Sequence, residues 1–127
     1  MKGLRRGQHG FTLIELLFVI IVIGILTTIA VPTYLGQRSK AKDAAVKEGV
    51  HRLVVGVESY AADNSDGCPA AASQVTIGAY VDDWPQNPYT DQPMQDSPAT
   101  GDYTYQTPAS DSYTLVGHLS SGDFAVP

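Results

Sequence analysis

Lysine and arginine are absent from the whole of residues 53–127. That stretch carries ten acids and no base, whereas residues 1–52 hold all eight Lys and Arg beside only Glu15, Asp43 and Glu48. Counterion release at a phosphate backbone needs cationic side chains, so the acidic part is not a nucleic-acid-binding surface. Cysteine is nearly absent too. Cys68 stands alone among 127 residues, which excludes an intrachain disulfide framework and any CxxC or Cys/His zinc site. The histidines are only His9, His51 and His118, with no HExxH pattern and no glycine-rich phosphate loop. Asp82 and Asp83 adjoin, but adjacency does not make an acid/base pair. No catalytic constellation emerges, and the chain is not read as an enzyme.

What is present is apolar and concentrated. From Phe11 to Leu35 the one ionisable group is Glu15, and at about 1.5 Å per residue such a helix crosses a ~30 Å hydrocarbon core. A secretory signal is the competing reading, because Lys2, Arg5 and Arg6 precede the run. The run exceeds the usual ~7–15-residue signal core, however, and no small-x-small cleavage site follows it. Bases flank both ends (Lys2, Arg5 and Arg6 before; Arg38, Lys40, Lys42 and Lys47 after), so charge counting leaves the orientation open. Gly24 and Pro32 lie inside the span, and the proline removes a backbone donor, so a kink is expected there.

Beyond Pro32, Val46, Val50, Leu53, Val54, Val57 and Ala61 recur at three- and four-residue spacing, an amphipathic continuation over 36–62. Asp63, Asn64, Ser65, Asp66 and Gly67 should end it near Ala62. Residues 63–127 read as a small β-sheet head: a strand over 75–81, a loop over 82–98 with four prolines, and a hairpin of Tyr103–Gln106 and Tyr113–Leu119 joined by Thr107–Ser112. The predicted fold is α+β, a long N-terminal helix packed on a small antiparallel sheet.

The run Arg5, Arg6, Gly7, Gln8, His9, Gly10, then Phe11-Thr12-Leu13-Ile14-Glu15, followed by Val31, Pro32 and Tyr34, resembles the class III leader and stem of the type IV pilin superfamily. The resemblance implies a leader over 1–10, cleavage between Gly10 and Phe11 by a prepilin peptidase, and N-methylation of Phe11. It implies an N-in, C-out single pass through the inner membrane, with lipid as the partner before assembly. It further implies self-polymerisation into an extracellular or periplasmic filament, driven by an inner-membrane platform protein and an assembly ATPase. Glu15 would then be an assembly residue. A carboxylate near the bilayer centre costs about 2.5–3.5 kcal/mol and calls for a partner; Glu15 lies near one end of the span, so snorkelling to the interface is the alternative in the monomer, and in a filament the partner is the amino terminus at Phe11 of a neighbouring subunit.

Two members of the superfamily compete, a type IV pilin and a major pseudopilin of type II secretion. Asp83-Trp84-Pro85-Gln86-Asn87-Pro88-Tyr89 is similar to the Asp-Pro-Trp-Gly-Asn-Pro-Tyr segment of such pseudopilins, with Trp and Pro exchanged and Gln86 in place of glycine. Those pseudopilins also bind calcium in an Asp- and Gly-rich C-terminal loop. Here Ser120-Ser121-Gly122-Asp123 is the only comparable stretch and Asp-x-Asp-x-Asp-Gly spacing is missing, so calcium is disfavoured and no cofactor is expected. The balance leans to a pilin. A membrane-anchored head that binds a ligand or partner as a monomer is the remaining class, and the intramembrane Glu15 counts against it.

Overall fold

The computed structural model describes residues 10–65 and 67–126; residues 1–9, most of the expected leader, lie outside them, as do Asp66 and Pro127. The elements, in order, are α1 (Leu13–Asp63), α2 (Gln74–Ile77), a 3₁₀ turn (Gly78–Tyr80), β1 (Gln86–Asn87), β2 (Gln92–Pro93), β3 (Tyr103–Ala109), β4 (Ser112–Leu119) and β5 (Gly122–Val126). The chain forms two compact units, Met1–Gln37 and Arg38–Pro127.

In the first unit, α1 is apolar on every side and reaches a mean hydropathy of 2.8 over an 18-residue window, long and apolar enough to cross a membrane. Its large side chains are unburied, from Phe11 at 85% exposure to Leu35 at 56%. The helical assignment runs through Gly24 and Pro32 without a break. Three hydroxyls in this segment turn back onto the helix: Thr27 donates to the Ile23 carbonyl (2.7 Å), Thr28 to Gly24 (2.9 Å) and Thr33 to Ile29 (3.1 Å). These three hydroxyls in the apolar run are thereby satisfied internally, the arrangement that hydrocarbon surroundings demand.

In the second unit, the expected stripe is the core. Val46, Val50, Leu53 and Val57 of α1 are fully buried against Tyr103, Tyr105 and Leu115 of the sheet, with Ile77, Val81 and Met94 closing the sides. The sheet is antiparallel in the order β3-β4-β5, with Tyr105 opposite Leu115 and Gly117 opposite both Tyr103 and Phe124. Strand alternation sends Tyr103, Tyr105, Leu115 and Gly117 to the helix side. Gly117 marks the closest approach: a Cβ there would sit 2.7 Å from a Val50 methyl. Gly49 does the same for the loop, where a Cβ would meet Met94 Sδ at 2.7 Å.

Several local expectations need correction. Residues 75–81 are not a strand but α2 and the 3₁₀ turn. The Ser73 hydroxyl caps α2 by accepting from Thr76 N–H, and Ile77 is buried while Val75 is 98% exposed. A cap plus one buried anchor outweighs the β propensity of three β-branched residues. The loop over 82–98 contains the two-residue pairing of β1 with β2. The connection expected over Thr107–Ser112 shrinks to Ser110–Asp111, because β3 extends through Pro108 with a register shift between Gln106 and Ala109. As an edge strand, β3 tolerates the missing proline donor. β5, not expected at all, completes the sheet after a turn at Ser120–Ser121 and Gly122, whose φ is +127°. α1 ends at Asp63, one residue past the expected end, with the Asn64 side chain donating to Tyr60 O (2.9 Å).

Candidate assembly site

The start of α1 is built as a reciprocal cap. Thr12 precedes the helix, and its hydroxyl accepts from Glu15 N–H at 3.2 Å, while Glu15 Oε2 accepts from Thr12 N–H at 3.4 Å. This Thr-x-x-Glu capping box satisfies two donors that the helix ladder leaves orphaned. It also places a carboxylate at the positive end of the helix dipole. The three-residue spacing is present in the sequence, where the charge of Glu15 in an apolar run is the more conspicuous feature. The structure therefore gives Glu15 a capping role within its own chain, and all of these groups are exposed. Among the described residues the ion pairs are Arg52 with Glu48 and Asp83, and His118 with Asp123, so Glu15 has no charged partner among them. Gly10 and Phe11 stand ahead of the helix, both exposed, and a Cβ on Gly10 would meet nothing within 4 Å.

A second polar centre anchors the head unit, and no local sequence pattern announces it. Asp43 is buried on α1, and its carboxylate accepts from Ser120 N–H (2.9 Å), from the Tyr89 hydroxyl (2.8 Å), from the Ser121 hydroxyl (2.8 Å) and from the Ser120 hydroxyl (3.0 and 3.1 Å). Ser39 Oγ lies 2.9 Å from Ser120 Oγ beside it. Burial alone would push the carboxyl pKa up; the Ser120 backbone donor and the Tyr89, Ser121 and Ser120 hydroxyls outweigh it and hold Asp43 at about 2. One side chain thus clamps the helix to the Pro-rich loop and to the β4–β5 turn. Its partners lie 46 and 77 residues away in sequence, beyond any local pattern.

The clamp has a testable cost. Asp43→Ala removes the acceptor shared by the half-buried Tyr89 hydroxyl and by the Ser120 N–H and the Ser120 and Ser121 hydroxyls, which are exposed and can turn to water; a donor left unpaired away from water costs about 1–3 kcal/mol. Thermal unfolding of the head fragment should show a loss of about 1–2 kcal/mol. Because the folded pKa is depressed, the contribution is complete above the unfolded pKa near 3.8 and is lost as pH falls towards 2. In the wild type an acid titration should therefore show stability eroding across that window; in the variant this component should be missing.

The loop similar to the pseudopilin segment is likewise a set of specific contacts. Trp84 Nε1 donates to Met94 O (3.0 Å). Buried Asn87 donates to Thr100 O (3.1 Å) and to Asp102 Oδ1 (3.2 Å), and accepts from Tyr89 N–H (2.8 Å). Gly101, at φ +92°, lies against the Asn87 amide, so a side chain there would meet both steric and backbone strain.

His118 forms an array with no counterpart in the sequence motifs: its Nε2 is hydrogen-bonded to Thr104 Oγ1 (2.7 Å) and its Nδ1 lies 2.9 Å from Asp123 Oδ1. These groups stitch β3, β4 and β5 together on the face turned away from α1. In the Ser120–Asp123 stretch, then, both serines bind Asp43 and Asp123 binds His118. Cys68 is half-buried, its N–H donating to Ser110 O (2.8 Å).

Comparisons with known proteins agree with the N-terminal pattern. Residues 5–31 match the family described as the prokaryotic N-terminal methylation motif. The type II secretion system core protein G of Klebsiella michiganensis is 31% identical over an alignment covering 97% of this chain and 89% of that protein. The type IV wide pilus major component PilA4 of Thermus thermophilus is 28% identical over 92% of this chain and 78% of its own. The core protein G of Pseudomonas aeruginosa is 28% identical over 87% and 84%. No solved structure matches. A methylation motif laid over a membrane-length helix, with relatives aligned along nearly the whole chain, places this protein in the type IV pilin superfamily.

Proposed function

We propose that this chain is a structural subunit of a pilus-type filament. It is inserted in the inner membrane as a prepilin with its N-terminus in the cytoplasm, cleaved between Gly10 and Phe11 by a prepilin peptidase, methylated on Phe11, and polymerised through the Phe11–Leu35 helix. The observation that carries this reading is the stem itself, a helix apolar on every side whose one ionisable group is Glu15 in its first turn. In the membrane, lipid covers that surface; in a filament, other stems do. Glu15 then meets the new amino terminus of a neighbour, and only one axial stagger satisfies both charges. Gly24 and Pro32 supply a weak segment at which the stem bends or loses helicity as subunits pack. A platform protein and an assembly ATPase drive extraction from the bilayer, and the subunit itself performs no catalysis. The direct test is to shear cells in which this chain is the only major subunit: pelletable filaments made of it are expected, and their absence despite normal membrane levels would refute the reading.

A second reading, a secretion pseudopilus, is favoured by the similarity to core protein G across 97% of the chain. Calcium separates the two. The β4–β5 turn is held by Asp43 through Ser120 and Ser121, so the head is expected to fold without a metal. A soluble fragment beginning near Gln37 should melt at the same temperature with calcium or with chelator. A large calcium-dependent rise would signal a site that binds only the native state and would move the assignment to the pseudopilus.

A further inference from the structure

We infer that the head carries a head-to-tail electrostatic contact with a second copy of this chain: Arg38, Lys40 and Lys47, on the early part of the head helix, meet Glu58, Asp63 and Asp111 at the far end of a neighbour's head. The contact deepens the filament reading above and rests on it.

The observation behind this is a charge segregation that the single chain does not use. The protein has a net charge of −5, so each of its cations has an excess of acids to choose from. Yet among the described residues only Arg52 pairs with acids, and Arg38, Lys40, Lys42 and Lys47 have no carboxylate within 4.0 Å. Lys42 lies over the Tyr89 ring (4.7 Å) and Lys47 over Phe124 (5.4 Å), contacts that seat the side chains without neutralising them. Arg38, Lys40 and Lys47 are exposed. Of the acids at this end, Asp91 lies in a loop, Asp123 in β5 is held by His118, Asp43 by Ser120, Ser121 and Tyr89, and Glu48 by Arg52.

The opposite end is purely acidic. Glu58, Asp63 and Asp111 are all exposed there, and no lysine or arginine follows Arg52. The β3–β4 turn belongs to this end because the Tyr113 hydroxyl donates to Glu58 (3.4 Å), whereas the other end of β4 meets Asp43 through Ser120. From Lys40 to Asp63 the helix rises roughly 35 Å, far beyond the ~8 Å screening length at physiological salt. The two charge sets do not meet within one molecule. A filament of parallel subunits, in contrast, repeats a heterologous interface, bringing the early end of one head towards the far end of another. Two parallel heads at equal height oppose like charges, and an axial offset opposes unlike ones, so the pattern selects a stagger. Anionic lipid headgroups would account for the basic groups beside the membrane span, but not for the acidic tip.

The test uses assembled filaments of the full chain. Treatment with a zero-length carbodiimide should link Lys40 or Lys47 to Glu58, Asp63 or Asp111, and the linked peptides should be absent from detergent-dispersed monomer. Arg38→Glu with Lys40→Glu should lower filament yield roughly tenfold, the equivalent of about 1.4 kcal/mol, with membrane level and leader processing unchanged. Adding Glu58→Lys and Asp63→Lys in the same chain should restore it. Filaments that form without these cross-links, a charge reversal that assembles normally, or a swapped chain that stays deficient would each overturn the contact while leaving the filament reading intact. A reversal that weakens binding to phosphatidylglycerol vesicles but spares filament yield would assign the basic surface to lipid and overturn it too. Wild-type chains that yield no filament would remove the underlying reading instead.

Discussion

Glu15→Ala and Glu15→Gln should both reach the membrane at wild-type levels and both fail to build filaments, with yield down by roughly tenfold or more, the equivalent of at least about 1.4 kcal/mol. The pair is informative because it separates the cap that Glu15 forms from the assembly role proposed for its charge. In the single chain its carboxylate accepts from Thr12 N–H to close a capping box, and glutamine preserves that bond while removing the charge. A helix cap is worth about 1 kcal/mol, enough to fray one exposed turn and too little to dismantle an assembly. In the bilayer Glu15 lies in the first turn of the span, within reach of the interface, so neither variant should impair insertion. In the proposed filament, where water is excluded among packed stems, a neighbour's amino terminus would compensate the charge. Sheared-filament yield against membrane-fraction level is the measurement. Normal filaments from Glu15→Gln with none from Glu15→Ala would make the cap, and not the charge, the assembly determinant.

The second large effect is at the leader. Gly10→Leu should accumulate as an uncleaved precursor and stop assembly before it starts, while Gly10→Ala should be processed, if more slowly. Gly10 lies ahead of α1 with open space around it, since a Cβ would meet nothing within 4 Å. The fold therefore makes no demand for glycine here, and any loss on substitution is attributable to the peptidase that must approach the backbone closely. Electrophoretic mobility of the membrane-extracted chain separates precursor from mature protein. Full processing of Gly10→Leu would show that cleavage does not occur at this bond.

Features with long repeats or rare combinations are legible in the sequence. The stem shows itself through 25 residues with a single charge, and the head helix through an apolar stripe whose members Val46, Val50, Leu53 and Val57 are all fully buried. Its end is foreseen to within one residue because a polar turn cluster follows. The Tyr-rich hairpin is visible through its alternation. Sequence patterns fail where segments are short or where distant residues decide. Residues 75–81 are rich in β-branched side chains, but the Ser73 cap and the burial of Ile77 turn their first part into helix. β5 is five residues with one aromatic, too little pattern to stand alone, and it exists because β4 offers an edge. Asp43 has the spacing of an ordinary surface acid forming an i,i+4 pair with Lys47; its real partners come from Tyr89 and Ser120–Ser121, brought back by the fold. The Thr12–Glu15 cap is readable from its three-residue spacing, but the charge of Glu15 overshadows it.

The central claim, that this chain is a processed subunit held in a filament by its N-terminal helix, meets its most direct test in the intact mass of the protein recovered from sheared filaments. One species is expected, comprising residues 11–127 with a single methyl group on the amino nitrogen of Phe11. A chain that retains residues 1–10 within assembled filaments, or one that remains full-length in the membrane of cells with an active prepilin peptidase, would contradict it.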